Sequence, residues 1–129
     1  MSQQNQKQLV VTDDEPDFRK FVRRVAEKAG WNVVECANGR ELADMISVKP
    51  NPSLVILDLA MPEMDGFQSL DWLADNTPSV PVCIVTGGPL TDVKPVAGTV
   101  SGAKSHIRKT LSKPILIDDL REVLDFADF

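Results

Sequence analysis

Leu54-Val55-Ile56-Leu57 is a run of four large aliphatic residues with no polar alternation, and it ends on a carboxylate, Asp58. A strand that is apolar on both faces belongs inside a parallel sheet with helices covering both sides. Leu9–Thr12 has the same character and also ends in acid, at Asp13-Asp14. Asn32–Ala37, Val80–Val85 and Ile107–Ser112 read as further strands, with Pro81 tolerated near a strand start because it has no N–H to give to a ladder. Thr86 and Lys113 follow the last two runs. Parallel strands present all their carboxyl ends at one edge, so Asp13, Asp14, Asp58, Thr86 and Lys113 are expected to converge there. A pocket of that composition suits a divalent cation and a phosphoryl group.

Between these runs the apolar period becomes helical. Pro16 suits a first helical turn, and Phe18, Phe21, Val22, Val25, Ala26 and Ala29 recur at helical spacing until Gly30. The other face carries Arg19, Lys20, Arg23, Arg24 and Lys28, and reads as a solvated face. Asn38-Gly39 forms the turn before a second helix from about Arg40 to Lys49, which Pro50 and Pro52 stop. After a loop from Asp58 to Gly66, the residues Phe67, Leu70, Leu73 and Ala74 predict a third helix. From Gly87 to Lys104 repeated Gly and Pro leave only a short or irregular one. Leu116–Phe126 predicts a closing amphipathic helix. The sum is five strand-helix units in one doubly wound α/β domain.

A chain of 129 residues has room for one ordinary domain. Its net charge of −5 argues against a nucleic-acid surface, which needs a concentrated basic face. No apolar stretch approaches the roughly 18 residues of a membrane span, and the polar start lacks the apolar core of a signal peptide, so the expected address is the cytoplasm. Cys36 and Cys83 sit among β-branched residues and read as buried thiols, with neither CxxC spacing nor enough ligands for a zinc site. Trp31 reads as packing and Trp72 as partly exposed. His106, the one histidine, reads as a surface residue.

Four segments placed at strand ends carry a resemblance to the receiver domain of bacterial two-component response regulators. They are Val10-Val11-Thr12-Asp13-Asp14-Glu15-Pro16, the segment from Leu57 to Gly66, Thr86-Gly87 and Lys113-Pro114. The resemblance covers nearly the whole chain, with residues 1–7 as a disordered polar tail and 8–129 as the receiver domain. It implies a flavodoxin-like five-stranded parallel sheet in the order 2-1-3-4-5 with helices on both faces. Asp58 would accept a phosphoryl group from a histidine kinase or a histidine phosphotransfer protein. Magnesium would be held by Asp14 and Asp58 directly, by Asp13 largely through water, and by the Ala60 carbonyl. Thr86 would donate its hydroxyl to a phosphoryl oxygen, Gly87 would leave room beside it, and Lys113 would offset charge on the transferring group, aimed into the pocket by a cis peptide between it and Pro114. The protein would be a regulator and not an enzyme, apart from its own phosphorylation and dephosphorylation.

Plainer readings stand beside each of these. Asp13 and Asp14 are also common N-cap residues before a helix, Asp58 can simply end a strand, Thr86 can belong to a turn, and Lys113 can be solvated. Their joint occurrence in register favours the site. Thr110 stands where most family members carry an aromatic residue, and the stretch from Thr86 to Lys113 is longer than usual. The family's common switching rearrangement and dimer are therefore not carried over. The small residues Ala60 and Gly88 would leave an acyl phosphate open to water. The basic face of the first helix has a second reading as a kinase-docking surface. The alternative function is a receiver-fold interaction module that is never phosphorylated. A haloacid-dehalogenase-like phosphatase would need an acid where Ala60 stands, and a flavin carrier would be repelled by Asp13-Asp14-Glu15.

Overall fold

The computed structural model describes residues 7–48, 52–59, 72, 73, 76, 80–87 and 107–127. Its elements in chain order are β1 (Gln8–Thr12), α1 (Pro16–Lys28), β2 (Asn32–Cys36), α2 (Gly39–Val48), β3 (Leu54–Asp58), β4 (Val82–Thr86), β5 (Ile107–Ser112) and a closing helix (Ile117–Ala127). The five strands form one sheet in the order β2-β1-β3-β4-β5, every neighbouring pair parallel.

Alternate residues of each central strand feed two separate cores, which is why the sequence shows no alternation. Leu9, Val11, Leu54, Ile56, Cys83 and Val85 face one side, against Val22, Val25 and Ala26 of α1 and Leu120, Val123 and Leu124 of the closing helix. Val10, Val55, Leu57, Val82 and Ile84 face the other side, against Leu42 and Ile46 of α2 and against Leu73. Each fully buried Leu, Ile or Val contributes roughly 1.5–3 kcal/mol relative to exposure. Together they hold the strand ends in register.

Local signals set the helix limits. Gly30 has φ of 93°, and the N–H groups of Gly30 and Trp31 donate to the carbonyls of Glu27 and Ala26, which is a Schellman close. That ends α1 at Lys28 and leaves Ala29 exposed at the cap, not on the buried stripe as its spacing suggests. Asn38 caps α2 by accepting the Glu41 N–H at 2.9 Å, while the Glu41 carboxylate accepts the Ala37 N–H at 2.6 Å. The second bond takes Ala37 out of the ladder, so β2 stops at Cys36. β4 begins at Val82 instead of Val80, because Pro81 offers only its carbonyl, which accepts the Val55 N–H at 3.1 Å.

Trp31 is buried in the first core and Trp72 is partly buried against the second. Cys36 and Cys83 are free and buried on opposite faces of the sheet, and burial pushes both thiols up to about 12. Residues 1–6 of the tail expected over 1–7, most of the helix expected over 67–74, and residues 88–104 of the irregular region expected over 87–104 lie outside the described residues, as do Ala60, Gly88 and His106. Among the described residues no helix is long and apolar enough to cross a membrane.

Candidate functional site

Backbone bonds beyond the strand ends position the site. Thr12 is level with Leu57 across β1 and β3, so the next residues, Asp13 and Asp58, stand side by side. The Asp13 N–H donates to the Cys36 carbonyl at 3.0 Å, the Leu59 N–H to the Val85 carbonyl at 3.1 Å, and the Lys113 N–H to the Thr86 carbonyl at 2.8 Å. Each chemistry-bearing residue thus leaves the sheet from a point pinned to a neighbouring strand.

Asp13 is fully buried, Asp58 is 4% exposed and Thr86 is 9% exposed, whereas Asp14 faces solvent. One carboxylate oxygen from each of Asp13, Asp14 and Asp58 lies within 4.8 Å of the others. Lys113 reaches into this group from the end of β5. Its Nζ lies 2.8 Å from Asp13 Oδ2 and 3.8 Å from Asp58 Oδ2, and it also contacts Glu15 Oε1. The Phe18 ring lies beneath, 4.6 Å from Nζ. The Lys113-Pro114 peptide is cis, as the resemblance implied.

The electrostatics follow from burial. Desolvation holds the Asp13 carboxyl above its ordinary pKa, although the adjacent Lys113 ammonium and the Glu15 N–H work the other way. Burial also pushes Lys113 down, but its bonds to Asp13 and Glu15 together outweigh this and leave it above the ordinary lysine value. Glu15 is held below the usual carboxylate range by Lys113. One ammonium therefore serves several acids, and Asp13 stays electrostatically uncomfortable. Its Oδ2 is buried and pairs with Lys113 by charge without an aligned hydrogen bond. Three oxygen donors crowded at a half-open edge, one of them under-satisfied, fit a hard divalent cation.

The capping alternative for Asp13 is corrected by the geometry. The N-cap of α1 is Glu15, with no side-chain cap, and Asp13 Oδ1 instead accepts the Glu15 N–H at 2.8 Å, closing a turn before the helix. The solvated reading of the basic face of α1 holds for Lys20, Arg24 and Lys28, which are exposed, and fails for Arg19 and Arg23. Arg19 donates through Nη1 to the Asp13 carbonyl at 2.7 Å and through Nε to Glu35 at 3.2 Å. Arg23 donates to Glu35 at 2.8 Å and to the Val33 carbonyl at 3.0 Å. Glu35 thus clamps α1 to β2 and steadies the loop that carries the acidic pair. Sequence reasoning missed Glu15, Arg19 and Glu35 as parts of the site. The available signal was Glu35 itself, a lone acid inside the apolar strand Asn32–Cys36.

Thr110 is half-buried on β5, level with Ile84. At Gly87 an added Cβ would meet no described residue within 4 Å.

A parallel five-stranded sheet in the order 2-1-3-4-5, with helices on both faces, defines the flavodoxin-like class of α/β domains, and here an acidic cluster stands at its carboxyl edge. The chain matches the model of the response regulator receiver domain over residues 9–125, nearly its full length, and it belongs to that family, the receiver domains of two-component signalling. It is 30% identical over 114 residues to the response regulator receiver protein CpdR of Brucella abortus, covering 88% of this chain and 90% of that one. It is 34% identical over 127 residues to the probable transcriptional regulator ycf27 of Porphyra purpurea, covering 97% of this chain and 51% of the relative, so it spans about half of that protein. Among solved structures it resembles the chemotaxis protein CheY4 of Vibrio cholerae, with a TM-score of 0.83 at 22% identity over 95% of this chain and 98% of that one, a likeness of fold.

Proposed function

We propose that this protein is a phosphorylation switch in which Asp58 accepts a phosphoryl group from a phosphohistidine on a sensor histidine kinase or phosphotransfer protein. The observation that carries this reading is the position of Lys113 Nζ, 2.8 Å from Asp13 and 3.8 Å from Asp58, beside carboxylate oxygens that gather within 4.8 Å. Asp58 is the acceptor because it lies at the end of the central strand, nearly buried, with its oxygen facing the shared ammonium. Asp13, Asp14 and Asp58, with the Ala60 carbonyl, would hold magnesium. When bound, that ion neutralises charge on the phosphoryl oxygens.

Lys113 offsets a further charge on the transferring group, and Thr86 donates its hydroxyl to a phosphoryl oxygen. Arg19 keeps the Asp13 backbone in place while charge builds up nearby. Residues 8–129 act as one receiver domain in the cytoplasm, signalling through a protein partner and not by contact with nucleic acid or membrane. The chain is a regulator whose only chemistry is its own phosphorylation and dephosphorylation.

Incubation with acetyl phosphate and magnesium is expected to add one phosphoryl mass to the wild type and none to Asp58→Asn. An unmodified wild type would favour the second reading, an interaction module that is never phosphorylated. Thr110, half-buried where the family's switching aromatic would stand, is the observation on that side.

A further inference from the structure

We propose that Glu15 is a specificity-determining residue that discriminates phosphodonors by charge, as an exposed carboxylate held against the Lys113 ammonium at the rim of the acidic pocket. The inference rests on the phosphoacceptor reading above. Lys113 has three N–H donors. The ammonium pairs by charge at 2.8 Å with Asp13, whose carboxylate is fully buried on a backbone pinned to Cys36, and so cannot leave. Asp58 lies 3.8 Å away, too far for a hydrogen bond. The remaining close partner is Glu15, in contact through Oε1.

Glu15 differs from the other acids in its freedom. Its side chain is 62% exposed, against 0% for Asp13 and 5% for Asp58. Its backbone is fixed, since its N–H donates to Asp13 Oδ1 and its carbonyl accepts the Arg19 N–H at 3.2 Å, but its carboxylate can swing away without breaking either bond. An entering phosphoryl oxygen can take the Lys113 N–H that neither Asp13 nor Glu15 holds, or push the exposed Glu15 aside. In either case the Glu15 carboxylate stays at the rim as one more negative charge beside three aspartates. It disfavours a donor in proportion to the donor's own charge.

A full charge roughly 7 Å away in a water-like dielectric alters a rate by about threefold per unit of donor charge. Removing it should speed a monoanionic donor by about threefold and a dianionic one by about sevenfold. Acetyl phosphate and phosphoramidate supply the two cases. With acetyl phosphate, the P–O bond to the acetyl group breaks, acetate leaves with the electron pair, and an Asp58 oxygen bonds to phosphorus. With phosphoramidate, the P–N bond breaks and ammonia leaves.

The test compares phosphorylation rates of the wild type and Glu15→Gln with both donors, at saturating magnesium and low salt, with thermal melts confirming that the exposed substitution leaves the fold intact. The larger acceleration is expected with acetyl phosphate, and it should shrink toward parity near 1 M salt, where the screening length is about 3 Å. Equal rates in wild type and variant, or equal acceleration with both donors, would overturn the charge-discrimination role while leaving Asp58 as acceptor. A wild type that takes phosphoryl from neither donor would sink the acceptor reading and this inference together.

Discussion

Replacing Lys113 by methionine keeps most of the aliphatic stem over Phe18 and removes only the charge. At 2.8 Å, and with an effective dielectric near 20, the attraction to Asp13 is about 6 kcal/mol before desolvation is counted. Removing one partner of a buried pair generally costs about 3 to 5 kcal/mol, because the other is left charged and unsolvated. Asp13 has an escape, which is to bind a proton. For an ordinary aspartate that costs about 4 kcal/mol at pH 7, at about 1.4 kcal/mol per pH unit. This is an upper bound, since burial already holds the Asp13 carboxyl above its ordinary pKa.

The expected loss for Lys113→Met is therefore about 2 to 4 kcal/mol at pH 7, falling to about 1.5 kcal/mol or less at pH 5. The direction follows from linkage. A carboxyl whose folded pKa is raised contributes stability below its unfolded pKa and loses it as pH rises through the folded one. Without Lys113 that loss reaches further toward neutrality. Lys113 itself, held above 10.5, stays charged throughout this range. Urea unfolding at pH 5, 6, 7 and 8 in the absence of divalent cations measures the difference directly. A destabilisation equal at pH 5 and pH 7 would refute the reasoning, as would a methionine variant as stable as wild type at pH 7.

Magnesium at a hundred times its dissociation constant should stabilise the folded wild type by about 2.7 kcal/mol and stabilise Asp58→Asn far less, read as a shift in urea midpoint. Arg19→Ala and Glu35→Gln should each destabilise by about 1 to 2 kcal/mol, and a double-mutant cycle should return a coupling of at least about 0.5 kcal/mol, since both belong to the bond network that clamps α1 to β2. With both thiols buried and raised to about 12, Cys36 and Cys83 should stay unreactive toward a thiol reagent at pH 8 in the native protein and both react after unfolding.

The fold was legible because burial on both faces leaves a plain mark. Leu54–Leu57 has no polar interruption for the same reason that Leu54 and Ile56 enter one core while Val55 and Leu57 enter the other. Asp13, Asp58, Thr86 and Lys113 were legible because topology alone brings parallel strand ends to one edge. The roles of Arg19, Arg23 and Glu15 were not. Helical periodicity says which way a side chain leaves its own helix, but not that Arg19 and Arg23 reach across to a carboxylate on β2, nor that Glu15 meets a lysine 98 residues later. Such partners depend on the twist and stacking of the finished sheet. The same holds for Ala29, whose spacing fits the buried stripe until the Gly30 turn carries the chain out of the helix.

The last strand to be made supplies the only ammonium among the described residues that touches the acidic pocket. A polypeptide emerging from the ribosome, or one whose carboxyl-terminal third has come loose, carries its acids without their counterweight. The charge balance of the pocket is thus the last part of the sheet edge to be completed, and it waits on the strand that delivers Lys113.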